Sequence, residues 1–103
     1  MNYQSTRDSE NKKVTSAQAI KQGLADDGGL FIPDEIPVFT KDDILALSSL
    51  SYTERAADIL SRFLTDYTYD ELLTDCKAAY SDTSFVGGAA PLKNIHDNIY
   101  SLE

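Results

Sequence analysis

Ser5-Thr6-Arg7 holds the residue types best suited to chemistry, because an arginine flanked by hydroxyls can bind a phosphate or carboxylate bidentately. Taken by residue type alone, the trio reads first as surface structure and second as an anion site. His96 is the single histidine, so any triad or histidine-based metal site would have to use it. It sits in a turn between strands with no second ligand in sequence range, which points to a structural role and to no metal site. Cys76, the single cysteine, falls at a core position of a helix, where a thiol behaves as a small hydrophobe with no base to activate it. Asp26-Asp27-Gly28-Gly29 has the glycines of a phosphate loop but lacks a following lysine and a helix N-terminus. It also carries two anionic side chains, so it reads as a turn. Gly87-Gly88-Ala89-Ala90 reads as a flexible joint.

The elements that must position these residues announce themselves by their starts. Thr15…Gln18, Thr40…Asp43, Ser51…Glu54 and Thr68…Glu71 each place a hydroxyl three residues before a side chain that can reach back, the pattern of a capping box. Phe39 with Ile44 and Tyr67 with Leu72 add the hydrophobic staple. Four helices follow. The third, about Tyr52 to Thr65, collects Ala56, Ile59, Leu60, Phe63 and Leu64 on one face, and the fourth, about Tyr69 to Tyr80, collects Leu72, Leu73, Cys76, Ala79 and Tyr80. These two should pack as a hairpin through Asp66-Tyr67.

The first helix ends near Gly23, and a short strand Leu30-Phe31-Ile32 is closed by Pro33. Pro33 to Pro37 is an extended connector. Asn2 to Thr6 can form a first strand, and Pro91 to Ile95 with Ile99 to Leu102 form a hairpin around His96-Asp97-Asn98. The fold class is α+β: four capped helices packed with a small sheet of short strands, in a single domain over residues 1–103.

Composition narrows the partners. A formal net charge of -8, from 17 acidic and 9 basic residues, repels phosphate backbones and anionic lipid, which argues against nucleic acid. Lys12-Lys13 is too small a basic cluster to reverse this and reads as a solvated turn. No apolar run approaches the ~18 residues of a membrane span, so no membrane partner is expected and the chain reads as cytoplasmic. The lone cysteine agrees with a reducing compartment.

Read as strings, Tyr3-Gln4-Ser5-Thr6-Arg7 and Ala19-Ile20-Lys21-Gln22-Gly23-Leu24-Ala25-Asp26-Asp27-Gly28-Gly29-Leu30-Phe31-Ile32-Pro33 resemble the N-terminal domain of threonine synthase. Leu50-Ser51-Tyr52, Ala57-Asp58-Ile59-Leu60, Ala90-Pro91-Leu92 and Asn98-Ile99-Tyr100-Ser101-Leu102-Glu103 extend the likeness over nearly the whole chain. The resemblance implies an accessory domain of a pyridoxal-phosphate enzyme of fold type II, which converts O-phospho-L-homoserine and water to L-threonine and phosphate. It also implies that the sequence stops before the cofactor lysine. None of Lys12, Lys13, Lys21, Lys41, Lys77 or Lys93 lies in the matching motif, so no catalytic or cofactor-binding residue is expected in this chain and it is expected to be inactive alone.

Ser5, Thr6 and Arg7 match a family string and are the candidates for facing the substrate cleft, although some family members lack that string. The expected partner is the catalytic domain of the same polypeptide, and a docking face left uncovered predicts weak self-association. Two alternatives stay open: the front domain of a threonine synthase-like phospholyase, and a stand-alone acidic interaction module.

Overall fold

Four hydroxyl side chains decide where the chain becomes helical. In the computed structural model, which describes residues 1–7, 12–81, 83–86 and 88–103, Thr15, Thr40, Ser51 and Thr68 each accept from the backbone N–H three residues on. The side chains of Gln18, Asp43, Glu54 and Glu71 accept in return from the cap's own N–H. The helices that follow are α1 (Ser16–Gln22), α2 (Lys41–Leu47), α3 (Tyr52–Phe63) and α4 (Tyr69–Ala79). Each box satisfies two otherwise orphaned amides and stabilises its helix by about 1 kcal/mol. The Ser51 hydroxyl and then its N–H hold the Glu54 carboxyl below its usual range, and the Thr68 N–H and then its hydroxyl do the same for Glu71.

Strand β1 (Tyr3–Ser5) pairs antiparallel with β2 (Phe31–Pro33), Tyr3 opposite Pro33 and Ser5 opposite Phe31. Pro33 closes β2 as its last residue, paired with Tyr3. A two-stranded sheet has only edges, and an edge tolerates a residue with no N–H. Val14 adds a bridge to Tyr3 and Leu24 one to Leu30, so four segments of the first third of the chain meet here. β3 (Leu92–His96) and β4 (Ile99–Leu102) form a second antiparallel ladder. Among the described residues the strands therefore divide into two separate two-stranded sheets. His96 belongs to β3, opposite Ile99, and not to the turn. The turn is Asp97-Asn98, with Asp97 at φ 46 and its carbonyl accepting from Asn94 Nδ2 at 2.8 Å.

The core lies between α3 and α4. Ala57, Leu72 and Cys76 are buried together, with Ala56, Leu60, Leu64, Tyr67, Leu73 and Tyr80 packed against them. Ala57, at 0% exposure, is the pivot that the apolar-face reading of α3 omitted; its small side chain lets the two helices approach. Ile59, expected in that face, and Ala79, expected in the apolar face of α4, are exposed instead. Burial, helped by the Asp75 charge, raises the Cys76 thiol above its ordinary value, in keeping with an inert packed cysteine.

Three bonds fasten β1 and α1 to this hairpin. The N-terminal ammonium donates to Thr65 Oγ1 at 2.6 Å, Tyr3 donates its hydroxyl to the Phe63 carbonyl at 3.1 Å, and the Ala17 N–H donates to Asp66 Oδ2 at 2.8 Å. Asp66, in the α3–α4 turn, thus caps α1 from a distance in sequence. Burial pushes its carboxyl up, but the Ala17 N–H and its other donors outweigh this, and the net shift is downward.

A second fastening fixes α2. Arg62 donates to Asp43 Oδ1 at 2.8 Å while its guanidinium lies 4.2 Å from the centre of the Phe39 ring. Ile44, the expected staple partner of Phe39, is largely exposed. Every residue of β3 is exposed, and the Cα radius of gyration of 16.7 Å exceeds the ~13 Å of a compact chain of this length.

Candidate functional site

The two motifs read separately in the sequence, Ser5-Thr6-Arg7 and Asp26-Asp27-Gly28-Gly29, form one structure. β1 delivers Ser5 to the first turn of the loop that precedes β2. Ser5 Oγ donates to Asp27 Oδ1 at 2.6 Å, and the Gly29 N–H donates to the same carboxylate oxygen at 2.9 Å. The Arg7 N–H donates to Ser5 Oγ at 3.1 Å, and Arg7 Nη1 donates to the Asp27 carbonyl at 2.8 Å. Thr6 completes the stitch: its N–H donates to the Leu30 carbonyl at 2.8 Å and its Oγ1 accepts from the Leu30 N–H at 3.0 Å.

The loop's glycines follow from this contact. A Cβ on Gly29 would collide with Ser5 Oγ and would stand 3.0 Å from Thr6 Oγ1 and 3.1 Å from the Arg7 nitrogen. Gly28 adopts φ +77, and a Cβ there would come within 3.1 Å of Arg7 Nη1. The loop is shaped to receive this strand end and is the turn expected from its residues.

Ser5 is buried, whereas Thr6 and Arg7 are exposed. The site therefore has a rigid floor of hydroxyl, carboxylate and glycine backbone, and a cation at its rim. A guanidinium has five donors. Among the described residues Arg7 uses one side-chain N–H, on Asp27 O, which leaves the fork able to take up an oxyanion. Lys12 and Lys13 are exposed and form ion pairs with Asp26 and Asp34, each at 3.0 Å.

Below this knot lies a mostly apolar groove of about 340 Å³ lined by Tyr3, Ser16, Ala19, Ile20, Leu30 and Leu64, among others. Ser16 Oγ, at 1% exposure, is buried there with no hydrogen-bond partner among the described residues. Desolvation and then the Asp66 charge raise the Tyr3 hydroxyl above its ordinary value.

The other sequence candidates are not drawn into the site. His96 is exposed on the β3–β4 hairpin with Nδ1 2.8 Å from Asp97 Oδ2, and Cys76 is sealed in the helical core. The described residues contain no cluster of three or more His, Cys, Asp and Glu able to hold a metal ion. No helix among them is long and apolar enough to cross a membrane. Of the expected joint at 87–90, Gly87 lies outside the described residues, while Gly88 and Ala90 both take positive φ, 97 and 57.

Fold and site together define an α+β N-terminal domain, a capped helical hairpin carrying a strand-and-loop knot that presents an arginine. The chain belongs to the threonine synthase family, matching the model described as "Threonine synthase N terminus" over residues 2–80. It is 34% identical over 94 residues to the threonine synthase of Escherichia coli K12, a match covering 90% of this chain and 21% of that protein. Against the Schizosaccharomyces pombe threonine synthase it is 33% identical over 105 residues, covering 100% of this chain and 20% of the other. The crystal structure of threonine synthase from Escherichia coli superposes with a TM-score of 0.85 at 31% identity, over 100% of this chain and 23% of that one. The chain thus spans about a fifth of the length of the relatives it matches.

Proposed function

We propose that this chain, a single domain over residues 1–103, serves as the accessory front of a cytoplasmic enzyme that converts O-phospho-L-homoserine and water to L-threonine and phosphate. The observation that supports this reading is the family match over residues 2–80 together with a superposition that spans the whole chain. The relatives' greater length supports a catalytic domain on the same polypeptide as the partner of this one.

The pyridoxal phosphate of that reaction supplies an electron sink and needs a lysine for its Schiff base. The lysines here do not fit that task. Lys12, Lys13 and Lys93 are exposed and ion-paired with Asp26, Asp34 and Glu103, and Lys21, Lys41 and Lys77 are exposed on helices. The cofactor therefore belongs to the catalytic domain, and this chain contributes binding and shape. Arg7, seated on its Ser5 and Asp27 floor with Thr6 beside it, faces the substrate cleft and offers its guanidinium to the anionic groups of the substrate.

Two measurements test this reading. The absorbance of bound pyridoxal phosphate is expected in the longer polypeptide carrying this chain and not in residues 1–103 alone. In that longer polypeptide, Arg7→Ala is expected to raise KM for O-phospho-L-homoserine about tenfold or more, the value of one lost charge-assisted bond. An unchanged KM removes the cleft role.

A further inference from the structure

Arg7 is held at two points, and both lead to one residue. Its guanidinium is fixed by the backbone carbonyl of Asp27 at 2.8 Å. Its backbone N–H is fixed by Ser5 Oγ at 3.1 Å, and that hydroxyl in turn donates to the Asp27 carboxylate at 2.6 Å. Asp27 is itself locked, since its Oδ1 takes the Gly29 N–H at 2.9 Å and its neighbour Gly28 leaves the space that Arg7 Nη1 occupies. A flexible arginine loses rotamer freedom when it binds an anion, and fixing it beforehand removes part of that cost.

We infer that Asp27 is a positioning residue for Arg7, which it pre-orients through the Ser5 hydroxyl and its own carbonyl so that the guanidinium meets an oxyanion, phosphate or carboxylate, of the substrate. This rests on the cleft role proposed above for Arg7. It gives the Asp27-Gly28-Gly29 turn a task beyond reversing the chain.

The test compares Arg7→Ala, Asp27→Ala, Asp27→Asn and the double variant Arg7→Ala/Asp27→Ala in the longer polypeptide, with O-phospho-L-homoserine as substrate and KM read separately from kcat. Asp27→Ala is expected to raise KM about tenfold with kcat nearly unchanged. Asp27→Asn, which keeps the Oδ1 acceptor, is expected to restore most of the loss, and the double variant to be no worse than Arg7→Ala. Should Asp27→Ala fail to fold, Ser5→Ala breaks the same relay at its middle and is expected to raise KM likewise. The inference is overturned if Arg7→Ala raises KM while Asp27→Ala and Ser5→Ala do not, or if the Asp27 and Arg7 losses simply add. If Arg7→Ala itself leaves KM unchanged, the cleft role falls first and the positioning role toward substrate falls with it.

Discussion

Ser5 Oγ lies 2.6 Å from Asp27 Oδ1, a bond that crosses 22 positions of sequence and joins β1 to the loop before β2. It sets a steric condition on Gly29, where any Cβ would enter the space of that hydroxyl. Gly29→Ala is therefore expected to destabilise the domain by about 1–3 kcal/mol through overpacking. Urea unfolding of the two proteins checks this, and coincident transitions would show that the strand end yields without cost.

The Arg62 guanidinium, followed by the Thr40 hydroxyl and N–H, holds the Asp43 carboxyl well below the usual carboxylate range. A carboxyl depressed on folding contributes stability that is present above its unfolded pKa, near ~3.9, and is lost as pH falls toward the folded value. At pH 7 Asp43→Asn is expected to unfold at lower urea than the wild type. The gap should close on acidification below about pH 4. A gap of constant size down to pH 2 would show that the charge on Asp43 is not what fastens α2 to α3.

The α3–α4 contact carries the core, so its centre should be the most sensitive position. Leu72→Ala removes a side chain that is 4% exposed and is expected to cost about 2–5 kcal/mol, enough to unfold much of so small a domain. Ala57→Leu is expected to cost about 1–3 kcal/mol by forcing the helices apart. Thermal unfolding followed by far-ultraviolet circular dichroism reads both, and an unchanged midpoint for Leu72→Ala would relocate the core.

What was legible in the sequence was what is local. All four capping boxes stand at the expected hydroxyls, because a cap and its partner are three residues apart and need no tertiary contact. The α3–α4 hairpin and the burial of Cys76 followed from helical periodicity. Contacts across the chain were not legible. Ser5-Thr6-Arg7 and Asp26-Asp27-Gly28-Gly29 stand about 20 residues apart, and no local pattern reports that they meet. Ala57 lies one position beyond Ala56 on α3, and only the crossing with α4, which periodicity does not report, puts it at the centre of the contact. The Phe39 ring also meets Arg62, a contact with a helix whose position no local pattern reports.

The exposed apolar residues make a prediction about assembly. Ile36, Val38, Leu92, Ile95, Ile99 and Leu102 are each more than half exposed, and an apolar surface of this kind tends to find a partner. Isolated residues 1–103 are expected to show weak, concentration-dependent self-association in sedimentation equilibrium, reduced by Leu92→Lys on the hairpin. A strict monomer at high concentration would count against a docking face there.

The most direct measurement is phosphate release from O-phospho-L-homoserine, with and without added pyridoxal phosphate, by the longer polypeptide that carries this chain and by residues 1–103 alone. The account predicts cofactor-dependent release of phosphate and formation of L-threonine by the longer polypeptide, and none by residues 1–103. Absence of release from the longer polypeptide, or release by residues 1–103 alone, would contradict it.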